Sequence, residues 1–100
     1  MHKPLWDYDD DGGWDKIEAL LKDRPHTVFT GHRHEYMKFT RHNHKYYVFA
    51  TTGGSSKMRG LEYGEFDQIV WVTLMKDGPR IANLKLDGIL DENIRVAPEK

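Results

Sequence analysis

No cysteine occurs in the 100 residues, which excludes a disulfide framework and a zinc site built on thiolates. The compartment stays open, because that absence is compatible with any of them. Long apolar runs are missing as well. No stretch approaches the roughly 20 apolar residues needed to span a bilayer, so the chain is expected to be soluble, with no membrane partner. Lys3, Asp7, Asp9 and Asp10 interrupt the amino-terminal segment and remove a signal-peptide reading of it. An excess of charge of either sign is also lacking. Fifteen basic residues stand against sixteen acidic ones, a net charge of -1 with histidine neutral. Such a balance supplies no basic field to displace counterions from phosphates, so no nucleic-acid partner is expected. There is neither an internal repeat nor a low-complexity segment.

What is present is the composition of one small globular domain spanning residues 1–100, 38% hydrophobic and 31% charged, with enough apolar side chains for a single core. Its most informative stretch is Thr27-Val28-Phe29-Thr30-Gly31-His32-Arg33-His34. An apolar strand ends in a glycine, and then two imidazoles flank an arginine. Neutral imidazole is the commonest nitrogen ligand of divalent transition metals. On an extended segment His32 and His34 point to opposite sides, an arrangement suited to two neighbouring metals rather than to chelation of one. Gly31 is expected to let the backbone turn tightly at the strand end. The plain alternative is a pair of solvent-exposed loop histidines. Two further features favour metal: His2, in His-Lys-Pro-Leu-Trp, and the flexible loop Thr51-Thr52-Gly53-Gly54-Ser55-Ser56, whose amides an anion could approach closely.

These elements, together with Gly64-Glu65-Phe66-Asp67, resemble the last third of a calcineurin-like metallophosphoesterase, and the resemblance extends over essentially the whole chain. It implies a two-metal centre of iron, manganese or zinc that activates a bridging water against a phosphoester, with His2 and His32 on one metal and His34 on the other. Arg33, Gly53 and Gly54 are the substrate-side candidates. The family's earlier motifs are absent, since no Asp-x-His or Asn-His pair lies between Met1 and Gly31. The chain therefore reads as the carboxyl-terminal portion of a larger metallophosphoesterase domain. It would supply part of the metal ligands, hold a partial or empty site and be inactive alone. The alternative is a non-catalytic metal-binding or β-rich interaction module.

Along the rest of the chain, Tyr8 to Gly13 reads as a solvated acidic loop, because its three consecutive aspartates lack the alternation of a calcium loop. Residues 14 to 23 read as a helix with Trp14, Ile17, Leu20 and Leu21 on its buried stripe. A strand is expected over 26–30, then a hairpin of strands near 35–41 and 45–52 around His42-Asn43-His44. Those two histidines would sit at a tip roughly 20 Å from the hairpin's base and take no functional part. Residues 53–66 form a long loop, the kind that is functional or mobile, in which Lys57 and Arg59 either meet a substrate phosphate or face water. Residues 69–75 are apolar at nearly every position, which implies burial on both faces, or on one face plus a partner. A turn at 76–79, a return strand over 80–86, and a tail docking through Ile89, Leu90 and Ile94 before fraying at Pro98-Glu99-Lys100 complete the reading.

The fold class is therefore α+β: a mostly antiparallel sheet of five or six strands with one amphipathic helix, formally the carboxyl half of the family's layered α/β sandwich. Such a half leaves a sheet face and a strand edge uncovered. The expected partners are a phosphoester substrate and either the missing amino-terminal half or a second copy meeting the exposed sheet.

Overall fold

A computed structural model describes residues 1–98. A single 3-10 turn, Leu5–Asp7, precedes helix α1, Trp14–Leu21. Six strands follow: β1 Val28–Thr30, β2 Met37–Arg41, β3 His44–Val48, β4 Ile69–Met75, β5 Gly78–Lys85 and β6 Gly88–Leu90, with a second 3-10 turn, Leu61–Tyr63, before β4. They make two three-stranded sheets, in the orders β1-β3-β2 and β4-β5-β6. Every pairing is antiparallel except β1 with β3, where Val28, Phe29 and Thr30 lie beside Tyr46, Tyr47 and Val48. The α+β class and the antiparallel bias thus hold, but the strands divide between two sheets where one was expected.

Strand periodicity explains the layering. Val28 and Tyr46 project to one side of the first sheet and pack with Trp14, Trp6, Leu21 and Phe39, under α1 and the first 3-10 turn. Phe29 and Tyr47 project to the other side and pack with Tyr36, Phe66 and Ile81, against the second sheet. The first sheet is thus the middle layer. A buried polar chain ties the two sheets. Gln68 accepts from the amide of Ala50 at 2.7 Å and donates to Asn83 at 2.6 Å, and Asn83 donates to the carbonyl of Asp91 at 2.9 Å.

Several boundaries and one helix face differ from expectation. Helix α1 stops at Leu21, and Ile17 and Leu20 lie in water, 51% and 76% exposed, while Glu18 is buried in their place. The cause is a polar interior: Glu18 receives Nε and an NH2 nitrogen of Arg41 at 3.1 and 2.9 Å and the indole N–H of Trp14 at 3.1 Å. Asp11, in the acidic loop, accepts from the amides of Gly13 and Asp15 at 2.9 and 3.1 Å and so organises the start of the helix. The β2–β3 turn is two residues, His42-Asn43, both left-handed at φ 50° and 63°, the type I′ geometry that matches strand twist. His44 lies within β3. The tail contains an unexpected strand, β6, and Ile89 on it is exposed while Ile94 enters the core. Pro98 is exposed, and the expected fraying of Glu99 and Lys100 lies outside the described residues.

The chain's own ends close both edges of the first sheet. The amide of Gly31 donates to the carbonyl of His2 at 2.8 Å, and the Met1 nitrogen to Phe29 at 3.2 Å, so Met1-His2 runs beside β1. On the far side, the amide of Lys38 donates to Arg95 at 2.9 Å and that of Ala97 to Lys38 at 2.8 Å. The first of these closures is what carries His2 to the loop after β1.

Candidate metal centre

His2 arrives beside the carboxyl end of β1, and the chain turns sharply there. Arg33 donates its amide back to Gly31 at 2.9 Å, and the left-handed conformations fall on the histidines themselves, His32 at φ 75° and His34 at φ 58°. The segment is therefore a turn and not the extended piece the sequence suggested, and the strain rests on His32 and His34 while Gly31 keeps a negative φ. Non-glycine residues in this region cost free energy and persist only where surrounding structure enforces them, and they cluster at functional sites.

Nδ1 of His32 and Nε2 of His2 share a hydrogen bond at 3.0 Å, with the rings edge to face at 4.9 Å between centroids. Two nitrogens bound to one transition metal at about 2.0–2.1 Å in adjacent coordination positions are separated by about 3 Å, so the spacing of this pair fits one ion. The environment favours the neutral ligand form of His32. Desolvation, followed by the positive potential of His2, Lys3, His34 and Arg33, lowers its pKa.

His34 turns elsewhere. Its Nδ1–H donates to the carbonyl of Ser55 at 2.7 Å, which fixes the tautomer and leaves Nε2 as the free lone pair, the arrangement that metal-ligating histidines adopt. The ring borders a polar cavity of about 190 Å³ lined by Arg33, Ser55, Ser56 and Lys57 among others. Among the described residues, no group of three or more histidine, cysteine or acidic side chains converges as a ligand set. The structure thus brings together His2 and His32, and seats His34 on the 53–57 loop.

The substrate-side candidates have other engagements. Arg33 pairs with Asp7 at 2.8 Å and lies over the ring of Tyr8 at 5.3 Å. The amide of Gly53 donates to Asp67 and that of Gly54 to the hydroxyl of Thr51, both at 2.9 Å. Gly54 matters sterically. A Cβ there would come within 2.2 Å of the Thr51 hydroxyl and 3.2 Å of the His34 ring, so only glycine lets the loop press against His34. Arg59 is bound by Glu65 and lies 4.2 Å over Tyr63, which leaves Lys57 as the cation of that loop without an ion pair among the described residues. The close seat of Gly54 on His34 was not readable from sequence, because a glycine-rich loop carries no mark of what it touches.

No family model matches the chain, and neither a curated protein nor a solved structure does. Among the described residues, no helix is long and apolar enough to cross a membrane.

Proposed function

We propose that this chain is the histidine-bearing part of a two-metal phosphoesterase centre, with His2 and His32 holding one ion and His34 contributing to a second, the remaining ligands coming from polypeptide outside these 100 residues. The observation that carries the reading is the 3.0 Å approach of His32 Nδ1 to His2 Nε2 across 30 positions of sequence. Two further features support it: the left-handed backbone at both His32 and His34, and the tautomer of His34 set by Ser55. Iron, manganese or zinc suits a nitrogen-rich donor set better than magnesium does.

When bound, a metal pair supplies Lewis-acid activation of water and neutralises a phosphoester's charge. The chain's own residues do the rest. His2 and His32 are held by β1 and the strand-like start of the chain, so their nitrogens are placed before an ion arrives. Arg33 spends one nitrogen on Asp7 and keeps the others for a phosphate oxygen, and Lys57 adds a second positive charge beside His34. Gly53 and Gly54 shape the loop that seats His34, since their amides are engaged within the chain. With no bridging carboxylate beside these histidines among the described residues, this reading makes the chain alone inactive as a hydrolase.

The test is calorimetric titration with zinc and manganese, next to an aryl phosphate assay. The proposal expects about one tightly held ion per chain, lost in His32→Ala, and hydrolysis only when a phosphoesterase front half carrying the bridging carboxylate is joined to the chain. Unchanged metal binding by His32→Ala overturns it. The second reading, a non-catalytic metal-binding module, draws on the lack of a third converging ligand among the described residues. Metal binding with no hydrolysis in the joined protein would favour it.

A further inference from the structure

Strand β4 is the strongest mismatch between sequence and surroundings in this molecule. Its seven residues, Ile-Val-Trp-Val-Thr-Leu-Met, carry no charge, yet Trp71 is 65% and Leu74 83% exposed. These two lie on opposite faces of the sheet, because one position is odd and the other even. The strand is also an edge. It pairs with β5 alone, and among the described residues no backbone hydrogen bond from Ile69 to Met75 reaches any other neighbour. The remaining edges are managed: Met1-His2 and Arg95–Ala97 flank the first sheet, and β6 has three residues. Long, flat, uncharged edges template strand addition, and proteins normally blunt them.

We propose that the open edge of β4 is a self-association surface, occupied by β4 of a second copy in antiparallel pairing about a two-fold axis, which joins two three-stranded sheets into one of six. Three observations select this occupant. A partner packed on a face covers either Trp71 or Leu74, whereas a strand added edge-on contacts both. The ends of β4 are of opposite charge, Asp67 before it and Lys76 after it, so antiparallel pairing sets the acidic end of each copy towards the basic end of the other, and a two-fold interface is satisfied by that arrangement on both sides at once. Lys76 has no ion pair among the described residues, while Asp77 is already held by Arg80 at 2.8 Å. One strand edge buries less than the roughly 1,200 Å² in total at which stable specific interfaces begin, which implies a weak, reversible dimer.

Sedimentation velocity of the full chain over a wide concentration range tests this, with hydrogen exchange read by mass spectrometry on the same samples. A monomer–dimer equilibrium is expected, with protection of the β4 amides rising with concentration. Trp71→Lys and Leu74→Lys should each raise the dimer dissociation constant by about 30-fold or more. Leu20→Lys, at an equally exposed apolar position on α1, should leave it unchanged. Circular dichroism of the three variants confirms folding, and the exchange pattern of the unaltered chain provides a readout that needs no variant. A monomer at all concentrations, a dimer without added protection in β4, or a dimer weakened by only one of the two β4 substitutions overturns the proposal.

Discussion

Glu18 and Arg41 meet in a two-point ion pair, Nε to Oε2 at 3.1 Å and an NH2 nitrogen to Oε1 at 2.9 Å, which fastens helix α1 to the edge strand β2. Burial alone would raise the carboxyl pKa, but the bonds from Arg41, with those from Tyr46 and Trp14, outweigh it and hold Glu18 at about 2. Glu92 repeats the pattern on the opposite face of the β2–β3 hairpin. Burial again pushes it up, while Lys38 at 2.7 Å, Lys45 at 2.9 Å and the hydroxyl of Tyr47 at 2.9 Å bring it down to about 2. One carboxylate ties the helix to the first sheet, and the other ties that sheet to the tail.

Acid stability follows from these two groups. Both have folded pKa values below the ordinary 4.5, so the unfolded chain binds the extra protons and stability falls as pH drops. Their contribution is complete above about pH 5 and disappears between about pH 4.5 and 2, on the order of 2–3 kcal/mol for each group. Thermal melts over that range should show a steep loss. Glu18→Gln, which removes one titrating group, should flatten the acid limb while lowering the midpoint near neutrality, and an unchanged acid limb would refute the assignment.

Gly64 is the clearest case of a residue fixed by close backbone approach. It sits at φ 70°, and a Cβ there would lie 2.3 Å from the carbonyl oxygen and 2.6 Å from the nitrogen of Tyr36, whose amide donates to Gly64 at 2.7 Å. Gly64→Ala should cost ~3 kcal/mol or more. Gly53→Ala has a similar φ of 77° but open space around it, and should cost about 1 kcal/mol. Denaturant unfolding of the two variants reads the difference directly, and equal losses would mean that the contact with Tyr36 relaxes.

The elements were legible where local pattern decides them. Trp14 at a helix start, alternation through Met37 to Val48, and the apolar run from Ile69 to Met75 each pointed to the element that formed. What was hidden depends on distant partners. The sequence stripe put Ile17 and Leu20 inside, because nothing near Glu18 announces Arg41, 23 residues on, as the cation that makes a buried carboxylate tolerable. In the site, His2, His32 and His34 were visible as residues. Their relation rested on alternation along an extended strand, which fails where the backbone turns left-handed at both His32 and His34. The two histidines face different neighbours all the same, since His32 meets His2 and His34 meets Ser55.

Asn83 offers a test of how the two sheets are joined. It is fully buried, accepts from Gln68 and donates to Asp91. Asn83→Ala strands a buried amide N–H and a carbonyl, at a cost of about 2–4 kcal/mol. Adding Gln68→Leu removes one of those orphans, so the double variant should lose less than the sum of the single losses. Additive losses in chemical unfolding would show that the two side chains act independently.

Metal dependence of stability separates a poised imidazole pair from a chance contact. An ion that binds only the folded chain stabilises it by RT ln(1 + [L]/Kd), about 2.7 kcal/mol at a hundred times Kd, which for a domain of this size raises Tm by roughly 10–20 °C. Zinc should therefore lift the melting temperature, and a chelator should return it to the starting value. His2→Ala and His32→Ala should abolish the shift. His42→Ala should keep it, since His42 lies in the β2–β3 turn with its Nε2 3.4 Å from Glu18. His34→Ala should retain most of it, because its ring is turned to Ser55 and away from the pair. Equal shifts in all four variants would place the ion elsewhere on the molecule and remove the 3.0 Å approach of His2 to His32 as the basis of the centre.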